Sequence, residues 1–73
     1  MNLLEVKKGK RLQFINHEDD SFLEVFQTTD RREELANGFK IILNGKLIDS
    51  FKSFPPFSQK CKELIEEWEL EEY

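Results

Sequence analysis

The stretch Phe39-Lys40-Ile41-Ile42-Leu43-Asn44-Gly45-Lys46-Leu47-Ile48-Asp49-Ser50-Phe51 decides the fold, because Asn-Gly stands there between two runs rich in β-formers. Asn and Gly tolerate the paired positive φ angles of a type I′ turn, whose twist suits a two-residue hairpin. With Asn44 and Gly45 as the loop, Leu43 is expected to face Lys46, Ile42 to face Leu47, Ile41 to face Ile48 and Lys40 to face Asp49. That register stacks aliphatic side chains and pairs opposite charges. It puts Phe39, Ile41, Leu43 and Ile48 on one face, and Ile42, Leu47 and Phe51 on the other. Both faces are apolar, whereas a sheet with one wet face alternates more cleanly. The second face is therefore expected to be covered by another part of the chain or offered to a partner.

Working outward, Arg11–Ile15 and Ser21–Thr28 read as two further strands flanking the polar loop Asn16-His17-Glu18-Asp19-Asp20. Leu3–Val6 is a candidate first strand that turns through Lys7-Lys8-Gly9-Lys10. Asp30–Gly38 reads as a short helix or helical turn, with Asp30 as N-cap, Glu33 three positions on and Gly38 as the stop. Downstream, Phe54-Pro55-Pro56-Phe57 is expected to end the sheet, since proline donates no ladder hydrogen bond, and Ser58 to cap a final helix reaching toward Tyr73. In that helix Cys61, Leu64, Ile65 and Trp68 share one stripe at i, i+3, i+4 and i+7, and glutamates fill most of the remainder. Trp68 is expected to be buried and Tyr73 to be the freer of the two. The expected fold is α+β: one domain over 1–73, a three- or four-stranded mainly antiparallel sheet with the C-terminal helix packed on one face.

Size and composition agree with a small folded unit. The chain has 73 residues, 38% hydrophobic and 36% charged with seven Phe, which is too apolar for a disordered segment. A core this small leaves modest stability unless a second subunit, disulfide or metal assists. Cys61 is the lone cysteine, so no intrachain disulfide forms, and no Cys/His cluster has zinc-ligand spacing. The N-terminal residues carry no long apolar run, and with the unpaired cysteine this leads to the expectation of a cytoplasmic protein without a membrane span.

Charge is distributed in blocks. The net charge is −4, yet residues 1–15 carry +3, 16–38 carry −5, 39–60 carry +3 and 61–73 carry −5. Catalytic constellations are missing from the sequence. His17 sits in an acidic loop without the spacing of a calcium site. Cys61 lies on the apolar helix stripe, and the glycines are isolated rather than grouped into a phosphate loop. The expectation is a non-enzymatic chain that uses no cofactor or metal and binds another protein or a second copy of itself, with small phage or mobile-element proteins as a compositional parallel.

The candidate partner-binding residues are Ile42, Leu47 and Phe51 on the hairpin, Glu66 and Glu67 on the helix, and Tyr73. An alternative is an acidic nucleic-acid mimic that inhibits a nucleic-acid-handling enzyme through its glutamate face. A third is single-stranded nucleic-acid binding by the basic Lys7, Lys8, Lys10 and Arg11 near Phe14. The acidic total opposes that third reading, because phosphate contact needs a basic face.

Overall fold

The computed structural model describes residues 2–28 and 38–73. The helical turn expected at Asp30–Asn37 lies outside the described residues. Among the described residues five strands form one antiparallel sheet: β1 (Leu12–Ile15), β2 (Phe22–Thr28), β3 (Gly38–Leu43), β4 (Lys46–Phe51) and β5 (Glu71–Glu72), in the spatial order β4-β3-β2-β1-β5. The α-helix α1 (Phe54–Glu67) packs on one face of the sheet. The α+β architecture is as expected from the sequence, with a two-residue β5 in addition.

The N-terminal segment corrects the sequence reading. Leu3–Lys8 is a 3-10 helix and not a strand. At three residues per turn, Leu3 and Val6 fall on the same side, and both are buried in the core. Asn2 begins the helix by accepting the Leu4 N–H on its Oδ1 at 3.1 Å, and Gly9 ends it at φ 91°.

The hairpin forms at Asn44-Gly45, whose φ angles of 51° and 81° are those of the expected turn. The turn is also tied sideways to β2: Asn44 donates its backbone N–H to Phe22 O at 2.7 Å and accepts the Phe22 N–H on its Oδ1 at 2.8 Å. Near the turn the register is Leu43 opposite Lys46 and Ile42 opposite Leu47, as expected. It then slips by one, so that Ile41 faces Asp49, Lys40 faces Ser50 and Phe39 faces Phe51. Ile48 is the extra residue of a β-bulge.

A one-residue slip sends every later side chain to the opposite face. Phe51 therefore joins the core side, packed against the buried cluster, and does not share a face with Ile42 and Leu47. The expected Lys40–Asp49 pair is replaced by Lys40 Nζ donating to Ser50 Oγ at 2.6 Å. The bulge gives up regular pairing at Ile48 and gains burial for an aromatic ring, which is worth on the order of 1–3 kcal/mol when complete.

Helix α1 begins earlier than expected. Ser53, not Ser58, precedes it, and Pro55 and Pro56 lie in its first turn, where a missing N–H costs nothing. It also ends earlier: Glu69 adopts φ 52°, and Leu70 N–H donates to Ile65 O at 2.9 Å. The chain then returns to pair β5 with β1, Phe14 facing Glu72 and Ile15 facing Glu71. The core holds Leu3, Val6, Phe14, Leu23, Val25, Phe39, Ile41, Phe57, Cys61, Leu64 and Leu70, with Trp68 only half-buried at its margin, less than expected.

Gly38 opens β3 at φ 141°, with the Phe51 carbonyl oxygen only 2.5 Å from where a Cβ would stand. Neither the backbone conformation nor the space suits a side chain. Gly38→Ala should lower the unfolding free energy by about 2 kcal/mol or more. Urea denaturation checks this, and Gly45→Ala, whose Cβ meets nothing within 4 Å, should cost less.

Candidate functional site

Strand alternation and the observed register assign the two faces of the sheet. Leu12, Phe14, Leu23, Val25, Phe39, Ile41, Leu43 and Phe51 turn toward α1 and the 3-10 helix, and all belong to the core or pack against it. The opposite face presents Ile15 against Phe22, Gln13 against Glu24, Phe26 against Lys40, and Ile42 between Glu24 and Leu47. No described helix lies on this second face. Its apolar members Ile15, Phe22, Phe26 and Ile42 are half-buried by their neighbours, while Leu47 is 55% exposed.

Polar groups fix the rim of this open face. Arg11 lays its guanidinium over the Phe26 ring at 4.3 Å and reaches Glu24 Oε2 at 3.4 Å, and Gln13 Nε2 donates to the same oxygen at 3.0 Å. The guanidinium thus shields one aromatic face while it neutralises the Glu24 carboxylate on the central strand β2. At the β5 side, Tyr73 meets Phe22 edge-to-face with ring centroids 6.2 Å apart. Its backbone N–H donates to Gln13 O at 2.8 Å, yet the residue remains 77% exposed.

The residues expected to bind a partner are thus divided. Ile42 and Leu47 lie side by side on the open face, and Tyr73 lies at its far edge. Phe51 is on the core face, and Glu66 and Glu67 are exposed in the last turn of α1, on the other side of the sheet. Phe22 and Phe26 are not among the residues singled out from the sequence, and Arg11 is there only as part of the basic N-terminal cluster. The period-2 pattern of β2 carried the signal, since Phe22 and Phe26 alternate with the buried Leu23 and Val25.

A second feature forms where the β1–β2 turn meets the end of α1. Asn16 is its pin: its Nδ2 donates to Trp68 O at 3.0 Å, its Oδ1 accepts the Glu18 N–H at 2.8 Å, and its backbone pairs with Ser21 and Asp20. Around it Ile15, Asn16, His17, Glu18, Glu69 and Glu71 line a hollow of about 280 Å³. Asp19 accepts the Ser21 N–H at 2.9 Å, and this bond holds its carboxyl below the ordinary value. Among the described residues no group of His, Cys, Asp and Glu is arranged to hold a metal ion.

Cys61 is fully buried in the middle of α1. Loss of hydration there pushes its thiol up from 9.0 to about 12, so at neutral pH it carries no thiolate and acts as a small core hydrophobe. No described helix is long and apolar enough to cross a membrane. In comparisons with protein-family models, curated proteins and solved structures, the chain matches none.

The Cys61 shift sets a pH dependence. The unfolded thiol ionises near 9.0 while the folded one keeps its proton to about 12, so folding stability is complete below the lower value and falls between the two. Urea denaturation from pH 8 to 11 should show this decline, and Cys61→Ala, though less stable throughout, should lack that part of it. A thiol reagent at pH 7 should label the native chain far more slowly than the unfolded one.

Proposed function

We propose that this chain is a small non-catalytic protein-binding module whose contact surface is the open face of the sheet, and that the partner it meets there is a second copy of itself. The observation that carries this reading is the pairing of half-buried Ile42 with Leu47, 55% exposed, on the face that α1 leaves uncovered. Exposed apolar area of this kind, rimmed by polar residues, marks contact surfaces.

Two further features favour the face over the edge of the sheet. β4 is an outer strand, but it is bulged at Ile48 and flanked by Lys46 and Lys52, devices that discourage addition of another strand. The face itself is small. Four strands spaced about 4.8 Å apart and about six residues long cover roughly 400 Å² per copy, and roughly 800 Å² for two, below the usual range of stable interfaces. The association is accordingly weak, with a dissociation constant in the micromolar range or above.

Sedimentation equilibrium tests it. The native chain should move from monomer to dimer as concentration rises from about 1 μM to about 1 mM, and Ile42→Lys should stay monomeric throughout with an unchanged circular dichroism spectrum. A native chain that is monomeric at the top of that range would overturn the reading, as would dimerisation untouched by Ile42→Lys.

One observation supports the acidic-mimic alternative: Glu18, Glu69 and Glu71 gather about the hollow beside Asn16, continuing the exposed Glu66 and Glu67 of the last helical turn. Spaced carboxylates at one end of the molecule present the charge that a phosphate-binding protein would meet. Under that reading, a partner captured from a native lysate is released as salt rises, and Glu18→Lys combined with Glu71→Lys captures none. Capture that persists through both changes excludes it.

A further inference from the structure

A groove runs between the N-terminal 3-10 helix and α1, on the side of the molecule away from the open sheet face. It is lined by Asn2, Leu3, Leu4, Phe54, Ser58 and Lys62, with a volume of about 340 Å³. Phe54, Ser58 and Lys62 recur every four residues, so they form one ridge of the helix beside the core stripe. Leu4 stands on the opposite wall and is 55% exposed, although its neighbour Leu3 is buried. The groove thus has an apolar wall that the fold of the described residues does not use.

Its charge is distinctive in a chain whose net charge is −4. None of the six lining residues is acidic. Lys62 is exposed at one side, and Lys7 holds its Nζ 5.3 Å from the centroid of the Phe54 ring. Neither ammonium is in an ion pair with a described residue, whereas the neighbouring Lys10 is held by Glu5 at 3.0 Å and Arg11 by Glu24. Glu5 is therefore engaged, and Glu66, one turn beyond Lys62, makes no bridge to it. Two cations that bridge to no described carboxylate flank an apolar wall, on a chain whose net charge is −4.

We propose that this groove binds a short acidic peptide segment that inserts an apolar side chain between Leu4 and Phe54 and sets its carboxylates against Lys7 and Lys62. The groove is open along one side and at the low end of ligand-pocket volumes, so it does not enclose a small molecule, and it suits one or two anchoring side chains of a partner chain. The cations supply the choice of sign and the apolar wall supplies the contact area. The site is independent of the sheet-face dimer and stands or falls separately.

The test is a titration of the isotopically labelled chain, followed through its amide NMR signals, with two synthetic acetylated peptides. One alternates leucine with glutamate and the other alternates leucine with lysine. The glutamate peptide should shift the amides of Leu3, Leu4, Ser58 and Lys62. The lysine peptide should leave them in place, and Lys62→Glu or Leu4→Asp, both at exposed positions, should weaken the glutamate peptide by about tenfold, equivalent to about 1.4 kcal/mol. Equal binding of the two peptides, shifts confined to the open sheet face, or no shift at millimolar peptide would each overturn the proposal.

Discussion

Three phenylalanine rings hold the two layers of this molecule together. Phe39 from β3 stacks on Phe57 of α1 with centroids 4.9 Å apart, and meets Phe54 edge-on at 5.6 Å. Pro55 and Pro56 separate the two helical rings, and their fixed φ preorganises the first turn so that Phe54 and Phe57, three residues apart, reach the same strand. Truncating a ring as buried as Phe57 costs about 3–5 kcal/mol, a large share of what a domain of this size has. Once this contact commits α1 to one face of the sheet, the other face is left without a helix among the described residues. The apolar character of that open face is thus a consequence of where the aromatic cluster formed.

The same cluster explains the bulge. Phe51 lies opposite Phe39 in the observed register, and only the extra residue at Ile48 brings it there. The Asn-Gly turn was legible because two adjacent residues carry the whole conformational signal. The bulge was not, because no residue type at Ile48 announces it; the decision lies in burial of a ring three positions away against elements distant in sequence. Ile42 and Leu47, between the turn and the bulge, were correctly placed together. Phe51, beyond it, was given to the wrong face.

Helix α1 was readable in its stripe and less so in its limits. Cys61 and Leu64 are buried as their spacing requires, with Ile65 beside them. The prolines looked like a stop, although the first turn of a helix accepts them without loss. At the other end Glu69 takes a left-handed conformation that glycine would normally signal, so a run of glutamates read as more helix. Leu3 to Val6 offered too few residues for a period to decide between strand and 3-10 helix. The block pattern of charge proved more informative than the total: the basic N-terminal block supplies Lys7 beside an apolar groove, and Glu18, Glu69 and Glu71, from the two acidic blocks, meet at the opposite end of β1.

The clasp between Asn16 and the Trp68 carbonyl joins groups 52 residues apart, and beyond it β5 completes the sheet against the N-terminal strand. Closing so long a loop is entropically expensive and is rewarded only after the β2–β3–β4 meander and α1 have assembled. The clasp therefore belongs to the late side of the folding barrier. Weakening it would leave the folding rate nearly unchanged and hasten unfolding, so Asn16 governs how long each native molecule lasts more than how quickly it forms.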